Sequence, residues 1–350
     1  MTPQVREAAN WLSGNAALVL IPLVLPNASF FNRYESAERT MKGFFNLVGA
    51  PQASIDLVFR GKGDHPLRKA KVPNKADDAN PIEELPLYST GGSVHGDVRV
   101  APVPGKKFEH NGIRVQLIGQ IELASERGNY YDFLSLTREL SPPGDLTTIE
   151  NHAFEFLNVE MQYDSYRGKL ARCRYMLRVT VVGRGMTPSA VKDYHFWVRN
   201  YENPQDEEKL IKMEVGIEEC LHIEFEYGKD FFHLNDVVVG KIYFLLVRIK
   251  LKYMEIELRR KETTRLGANP RNETETIGKY EIMDGAPVRG ETVPIRMYLT
   301  PYHLTPTYEN VHNKFSVKYM LNLVLVDDED RRYFKQQEIR LYRKPEPTAK

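Results

Sequence analysis

The sequence predicts an all-β protein of two tandem β-sandwich domains. Three observations lead to this prediction: short runs rich in Val, Ile, Tyr and Phe, polar–apolar alternation within several of these runs, and a repeat at a fixed distance along the chain. A chain of 350 residues, 42% of them hydrophobic, can bury a sizeable core. This length fits two domains of roughly 150 residues each.

Several segments have the composition of β-strands, and turn residues separate many of them. They span residues 94–100, 113–123, 152–160, 170–182, 194–198, 221–227, 237–258, 293–299, 315–326 and 333–342. In 221–227 apolar residues alternate with histidine and glutamate, as in a strand with one buried face. The apolar stretch 237–258 contains Lys241 and Arg248, which a membrane span would avoid. It therefore predicts two strands or one long bent strand.

An internal repeat indicates that one sandwich is duplicated. The run RYMLRVTVV at 174–182 matches KYMLNLVLV at 318–326, which is an offset of 144 residues. At the same offset Gly96 aligns with Gly240, and a glycine within a strand predicts a bulge or a close backbone approach. Two copies of one sandwich in tandem explain these matches.

A second short match has a smaller offset. QIEL at 120–123 matches EIEL at 255–258, and a longer loop at 101–111 in the first copy would supply the difference. We place the domain boundary near Gln205. The predicted parts are a disordered leader at 1–40, an N-terminal sandwich at 41–204 and a C-terminal sandwich at 205–350.

Four segments are predicted to lie outside strands. Residues 61–80 are rich in Lys, Asp, Pro and Gly and predict a flexible hairpin loop, and 125–144 is a polar stretch ending near two prolines. The acidic run 202–208 is a linker candidate, and 263–276 predicts a long mobile loop. In the leader, the apolar run 16–25 is about half the length that a transmembrane helix needs.

Composition narrows the class of protein. Lys and Arg number 48 against 47 acidic residues, which argues against a nucleic-acid binder because such proteins usually carry a basic face. The two cysteines, Cys173 and Cys220, are too few for a disulfide framework. Both lie in strand-like runs, where a buried free thiol is the ordinary state, although a single bridge or a reactive thiol stays open. A reducing compartment fits this usage.

No catalytic motif stands out. The chain has no G-x-S-x-G elbow, P-loop, H-E-x-x-H or G-x-G-x-x-G pattern, and its histidines lack metal-ligand spacing. The charged run 327–332 lacks the spaced oxygens of a calcium loop, so a hairpin turn explains it more simply. We therefore expect a non-enzymatic protein without cofactor or metal.

A recognition surface is predicted at residues 280–288, which read YEIMDGAPV. Asp284-Gly285 marks a turn, and Ile282 and Met283 are apolar residues directly before it. Large apolar side chains at a turn tip are poorly placed for a sandwich core, and an exposed pair often marks a partner site. The alternative is that both side chains tuck into the end of the sandwich.

Four long runs of the chain are specific enough to indicate a family: KMEVGIEECLHIEFEY at 212–227, VGKIYFLLVR at 239–248, KYEIMDGAPV at 279–288 and FSVKYMLNLVLVDDEDRRYFKQQE at 315–338. They resemble the vacuolar protein sorting 26 family, the small arrestin-like subunit of the retromer coat. Less exact similarity begins near Met41 and continues almost to the C-terminus. Residues 1–40 and 61–80 depart from the family.

The resemblance implies two arrestin-like sandwiches and a peripheral coat subunit on the cytoplasmic side of endosomes. It implies that the loop with Ile282, Met283, Asp284 and Gly285 binds the solenoid subunit, vacuolar protein sorting 35. It also implies a groove, shared with sorting nexins, for hydrophobic motifs in cytosolic tails of cargo; Val215 and Phe334 match that groove. Another arrestin-type trafficking scaffold that binds receptor tails is the alternative, and an enzyme comes third.

Overall fold

The computed structural model describes residues 53–61, 67–73, 81–126, 128–204, 210–217, 219–266 and 269–345, and within these ranges every regular element is a β-strand. The predicted leader at 1–40 and the boundary near Gln205 lie outside the described residues. The eleven strands of the N-terminal half are β1 Ala53–Phe59, β2 Lys69–Pro73, β3 Pro81–Tyr88, β4 Gly92–Pro102, β5 Phe108–Leu123, β6 Tyr130–Ser141, β7 Gly144–Leu146, β8 Glu150–Val159, β9 Tyr166–Arg167, β10 Ala171–Gly183 and β11 Ala190–Val198.

The ten strands of the C-terminal half are β12 Ile211–Ile217, β13 Leu221–Tyr227, β14 Phe231–His233, β15 Val237–Val247, β16 Leu251–Leu266, β17 Asn269–Asp284, β18 Thr292–Tyr298, β19 Tyr308–Val311, β20 Phe315–Asp327 and β21 Arg332–Tyr342. The stretch 237–258 thus forms two strands, as one of the two predicted alternatives had it.

Each half is a sandwich of two sheets. In the N-terminal sandwich a sheet ordered β1-β4-β8 accompanies one ordered β2-β3-β11-β10-β5-β6, with β7 on β5 and β9 on β10. In the C-terminal sandwich a sheet ordered β12-β13-β15-β18 accompanies one ordered β14-β21-β20-β16-β17, with β19 on β20. The predicted all-β, two-sandwich fold class is confirmed.

The duplication is visible in the strands. β10 and β20 coincide from end to end at the offset of the sequence repeat, and each is a central strand of its large sheet. The parallel pair β3 and β11 has its counterpart in the parallel pair β14 and β21. β13 is the counterpart of β1, the edge strand of the small N-terminal sheet. The small C-terminal sheet has one further strand, β12, outside β13.

The second sequence match is wrong as an alignment. Val115 of β5 pairs with Val179, whereas Ile256 of β16 pairs with Leu323, the counterpart of Val179. Ile256 is therefore the structural equivalent of Val115. The match between QIEL and EIEL instead aligns Ile256 with Ile121. Alternating sequences of this kind match at several registers, and only the pairing with the neighbouring strand selects one.

Two loop predictions are also wrong, and a third is wrong in part. Residues 263–276 are not a mobile loop but the arms of the β16–β17 hairpin, in which Thr263 pairs with Asn272 and Thr264 with Arg271. Within 125–144, β6 pairs along β5, and its polar residues face solvent at the sheet edge. Within 61–80, residues 69–73 form β2, and 62–66 and 74–80 lie outside the described residues.

The core follows the two-residue period of the strands. In β13 the odd-numbered residues Leu221, Ile223, Phe225 and Tyr227 are buried, and the residues between them are not. Each fully buried large apolar side chain contributes about 1.5–3 kcal/mol relative to exposure. The same alternation therefore selects the strand register and stabilises the fold.

The inner face of β16 changes from apolar to polar where it meets the N-terminal sandwich. After Met254, Ile256 and Leu258, the buried positions become Arg260, Glu262 and Thr264. A buried polar side chain is costly unless it is hydrogen-bonded. Arg260 donates to Glu275 on the neighbouring β17 at 2.8 Å, whereas Glu262 finds its partners in the contact between the two sandwiches.

The carboxylate of Glu262 supplies one such contact. It accepts the backbone N–H groups of Lys169 (3.0 Å) and Leu170 (2.9 Å), which lie just before β10. On another part of the interface Arg343 donates to Asp164 at 2.6 Å, and Tyr308 donates to the same carboxylate at 3.1 Å. These bonds fix the second sandwich, and with it the surfaces at its far end, relative to the first.

Candidate partner-binding surfaces

The predicted turn at Asp284-Gly285 lies at the end of the C-terminal sandwich far from the first domain. Asp284 pairs with Tyr253 at the end of the β16–β17 ladder, and Gly285 then turns the chain with φ of 101°, a conformation that L-residues with side chains rarely adopt. The N–H of Gly285 donates to the carbonyl of Lys252 at 2.8 Å. The predicted turn is confirmed, and its path is fixed by backbone bonds.

Two further turns lie beside it, and we call the three together the tip: residues 248–250, 285–291 and 328–331. The N–H of Asp328 donates to the carbonyl of Lys250 at 3.1 Å, and the Nζ of Lys250 lies 2.9 Å from the Asp328 carboxylate. Lys252 pairs in the same way with Asp330 at 2.9 Å. Both ion pairs are exposed, and exposed pairs stabilise a fold little. Their side chains therefore remain available as mixed charges on the surface of the tip.

The turn at 328–331 is the predicted β20–β21 hairpin. Asp327 is 2% exposed and accepts the backbone N–H groups of Glu329 (3.0 Å) and Arg331 (2.9 Å). Its carboxylate also accepts Arg331 Nε at 2.6 Å and the Tyr333 hydroxyl at 3.0 Å. Burial alone would raise the pKa of Asp327, but these donors outweigh it and lower the pKa. The charged run thus closes a turn around one carboxylate.

Ile282 and Met283 are not the exposed pair that the sequence predicts. Both are half-buried and pack against the hydrophobic core, with Met283 paired to Met254. β17 continues through them, so their side chains still belong to the pleated strand and cover the end of the core. The alternative that they tuck into the sandwich end describes them better.

Val288 is the large apolar residue exposed at the tip, and no sequence pattern singles it out. Its side chain is 67% exposed, directly after the buried Pro287. Its N–H donates to the Glu291 carboxylate at 2.9 Å, and the N–H of Glu291 donates to its carbonyl at 3.1 Å. Position 288 was part of the predicted 280–288 segment, but nothing in the sequence distinguished it from Ile282.

One side of the C-terminal sandwich lies between the edge strand β12 of the small sheet and the strand β21 of the large sheet, and we call it the open side. Val215 and Phe334 lie on these two strands. Val215 is on β12, which is the edge of the small sheet, and Phe334 is on β21. The short β14 pairs only with residues 340–342 of β21, so the earlier part of β21 is also an edge. Both residues lie near the tip end of their strands, because β12 runs toward the tip and β21 runs away from it.

The structure places these two side chains differently. Val215 is half-buried and packs against the core, whereas Phe334 is 67% exposed. In β21 the core positions Ile339 and Leu341 are odd-numbered, so Phe334 projects from the opposite face of the strand. Val215 and Phe334 thus lie on opposite sides of the open side, but their side chains do not both point into it.

Farther from the tip, a cleft of about 630 Å³ lies between the two edges. Its walls are β12 and the chain just before it on one side, and the last part of β21 on the other. The start of β14 and the segment around β19 complete the lining, which consists of Leu210, Ile211, Lys212, Asp230, Phe231, Thr307, Glu309, Gln337, Glu338, Ile339 and Arg340.

In the N-terminal sandwich the corresponding side is closed by hydrogen bonds between β1 and β11. The carbonyl of Ile55 on β1 accepts the Nζ of Lys192 and the hydroxyl of Tyr194, each at 2.7 Å. Both donors come from β11, the counterpart of β21. The C-terminal sandwich carries the extra strand β12 at this place, and its outer edge is free of strand partners within the described residues.

Groups with chemical reactivity are few in the part of the chain that the structure describes. Both cysteines are free thiols; Cys173 is buried, which raises its pKa, and Cys220 is half-buried. Among these residues no group of three or more His, Cys, Asp or Glu side chains could hold a metal ion. The same residues contain no helix long and apolar enough to cross a membrane.

Comparison with known proteins agrees with the sequence resemblance. The family model described as vacuolar protein sorting-associated protein 26 matches residues 51–330. Vacuolar protein sorting-associated protein 26B of Arabidopsis thaliana is 54% identical over 305 residues, which cover 87% of this chain and 99% of the relative. Vacuolar protein sorting-associated protein 26 of Dictyostelium discoideum is 55% identical over 268 residues, 76% of each chain.

The similarity extends to animals. Vacuolar protein sorting-associated protein 26 of Caenorhabditis elegans is 54% identical over 280 residues, which cover 80% of this chain and 78% of the relative. Identity of this degree over most of the chain leaves no alternative family, and the two-sandwich fold agrees with it. The chain belongs to the vacuolar protein sorting-associated protein 26 family.

Proposed function

We propose that this chain is a non-enzymatic adaptor subunit of the retromer coat, acting at endosomal membranes. The family match over residues 51–330 carries the proposal, because a vacuolar protein sorting family has its role in vesicular trafficking. An adaptor needs surfaces and not a reaction centre. The tip and the open side of the C-terminal sandwich are two such surfaces.

The tip binds the solenoid subunit, vacuolar protein sorting 35. Its turn is held by backbone bonds at Gly285, so little conformational entropy is lost when a partner binds. Val288 supplies an exposed apolar contact, and Asp284 lies exposed beside it. Ile282 and Met283 support this turn from the core and present only part of their surface.

The test is co-purification of the full chain with vacuolar protein sorting 35. We expect Val288→Asp to abolish or strongly weaken the complex while leaving the melting curve unchanged. Val191→Asp is a matched control, because Val191 is 54% exposed on a strand of the N-terminal sandwich. Ile282→Asp with Met283→Asn should also break the complex, with some loss of stability.

Two results would contradict this assignment. One is unchanged binding by both tip variants in a pull-down. The other is failure of the unmodified chain to co-purify with any large helical-repeat subunit, which would favour a different arrestin-type scaffold that binds receptor tails.

The open side of the C-terminal sandwich selects cargo together with a sorting nexin. A free strand edge can pair with an extended peptide through backbone hydrogen bonds, and side-chain pockets then give specificity. β12 offers such an edge; Val215 lies on β12 itself, and Phe334 lies on β21 across the opening. Val215→Asp should abolish binding of an apolar tail peptide and leave the contact with the solenoid subunit intact.

A further inference from the structure

The free edge of β12 is bordered by carboxylates on both faces of its sheet. This matters because successive side chains of an added strand point to opposite faces. A peptide paired with β12 would therefore sample both borders at alternate positions. The charges at these borders bear on the charge of a bound peptide, provided that β12 is the peptide site proposed above.

On the inner face of the small sheet, the cleft of about 630 Å³ lies beside the free edge of β12. Of its carboxylates, Glu338 pairs with Lys318 at 2.7 Å, whereas Asp230 and Glu309 have no ion-pair partner among the described residues. Its cations are already engaged: Arg340 pairs with Glu202, and Lys212 reaches Glu226 at 3.8 Å. Among the lining residues the carboxylates of Asp230, Glu309 and Glu338 outnumber the cations Lys212 and Arg340, so the cleft carries an excess of negative charge beside apolar walls.

On the outer face a depression of about 430 Å³ crosses β12, β13 and β15. Glu214 pairs with His222 at 3.1 Å, and Glu226 accepts the Tyr243 hydroxyl at 3.0 Å. Glu224 is exposed and has no ion-pair partner in the described chain.

The cations on this face are Lys212 and Lys241, and each lies directly opposite Glu226 across the ladder. They compensate Glu226 and leave Glu224 free. The floor includes Leu245, whose exposed side chain suits the aliphatic stem of a long side chain.

We infer that the segment added to β12 is a basic one: an apolar anchor with Lys or Arg at successive positions on either side of it, so that some of these cations point inward and others outward. Asp230 and Glu309 would face the flanking residues that point inward, and Glu224 those that point outward. Potentials of opposite sign across an interface raise the association rate and suppress wrong partners. Acidic tails are accordingly disfavoured at this edge.

The test uses the full chain and three ten-residue peptides that share a central leucine and carry lysine, serine or glutamate at the two positions on each side of it. Binding is measured by fluorescence polarisation at low and high salt. We expect the lysine peptide to bind best and the glutamate peptide worst. The difference should shrink in high salt, because exposed charges are screened.

Charge-removing variants locate the effect. Asp230→Asn, Glu309→Gln and Glu224→Gln should each weaken the lysine peptide by about two- to fivefold, the range of an exposed ion pair. The serine peptide should be unaffected. Glu155→Gln is the control variant, because it removes an exposed carboxylate from β8 of the N-terminal sandwich.

The outcomes separate this inference from the proposed function. Equal binding of the three peptides, or lysine binding that ignores the three variants, overturns the charge preference; the carboxylates then only protect a free edge from self-association. Loss of serine-peptide binding in Val215→Asp would still support the peptide site. If no peptide binds the chain, the preference is overturned, and the co-purification experiment still tests the proposed function independently.

Discussion

Gly96 and Gly240 occupy equivalent places in the two sandwiches, and each lies where a neighbouring strand leaves no room for a side chain. A β-carbon at Gly96 would lie far inside van der Waals contact of the Val58 carbonyl oxygen, and one at Gly240 would do the same at Glu226. At Gly240 the Tyr227 ring would lie 3.0 Å away as well. The repeat in sequence is therefore also a repeat in packing, through close approach and not through a bulge.

Gly96→Ala and Gly240→Ala should each destabilise the chain by about 1–3 kcal/mol, as overpacking usually does. Gly216→Ala is the matched control, because nothing lies within 4 Å of a β-carbon there. Thermal unfolding of the three variants measures the difference. Equal melting temperatures would show that the neighbouring strands yield without cost.

Glu262→Gln should loosen the contact between the two sandwiches. The amide side chain can accept only one of the two N–H groups of Lys169 and Leu170, so one buried donor loses its partner at about 1–3 kcal/mol. Hydrogen exchange at those two amides should accelerate, whereas amides within β13 should keep their protection. Unchanged exchange at Lys169 and Leu170 would mean that water replaces the carboxylate.

Removing one member of the Asp164–Arg343 pair should cost about 3–5 kcal/mol, because the remaining charge stays largely buried. The side chains are 6% and 16% exposed. Replacing both, with Asp164→Asn and Arg343→Met, should cost less than the sum of the two single changes. A double-mutant cycle by chemical denaturation measures this coupling, and additive values would argue against a direct interaction.

Glu257 should give the chain part of its acid sensitivity. Burial would raise its pKa, but hydrogen bonds from Lys279, Asn322 and Arg259 outweigh burial and lower the pKa below 4.5. Its stabilising contribution is therefore complete above the unfolded-state pKa and disappears as pH falls through the lower folded-state value.

Glu257→Gln should accordingly be less stable than the unmodified chain at pH 7, and the gap should narrow steadily as the pH falls below the ordinary range of a glutamate. Urea unfolding across a series of acidic pH values checks this. A gap that stays constant, or one that widens in acid, would show that Glu257 contributes by shape and not by charge.

Ile282→Asp and Val288→Asp should differ in stability although both lie at the tip. Ile282 packs against the core, so a carboxylate there should cost about 1–3 kcal/mol. Val288 is 67% exposed, and its replacement should stay within about 0.5 kcal/mol. Melting curves of the two single variants decide this; equal curves would place both side chains in solvent.

Sequence alone determined the elements with a strong local signal. The two-residue alternation of 221–227 indicates a strand with one buried face, and Asp284-Gly285 indicates a turn because glycine adopts positive φ without strain. The matched runs at 174–182 and 318–326 indicated the duplicated sandwich, and the family resemblance came from long specific runs.

The tertiary structure decided what depends on neighbours distant in the chain. Whether Ile282 is exposed depends on whether its strand continues past the end of the core, and the register of β5 and β16 depends on the strands beside them. The free edge of β12 exists because no other strand covers it within the described residues, and the charge on both its faces comes from segments far apart in sequence. Burial and electrostatics are sums over spatial neighbours, so a local pattern specifies the strand but not what surrounds it.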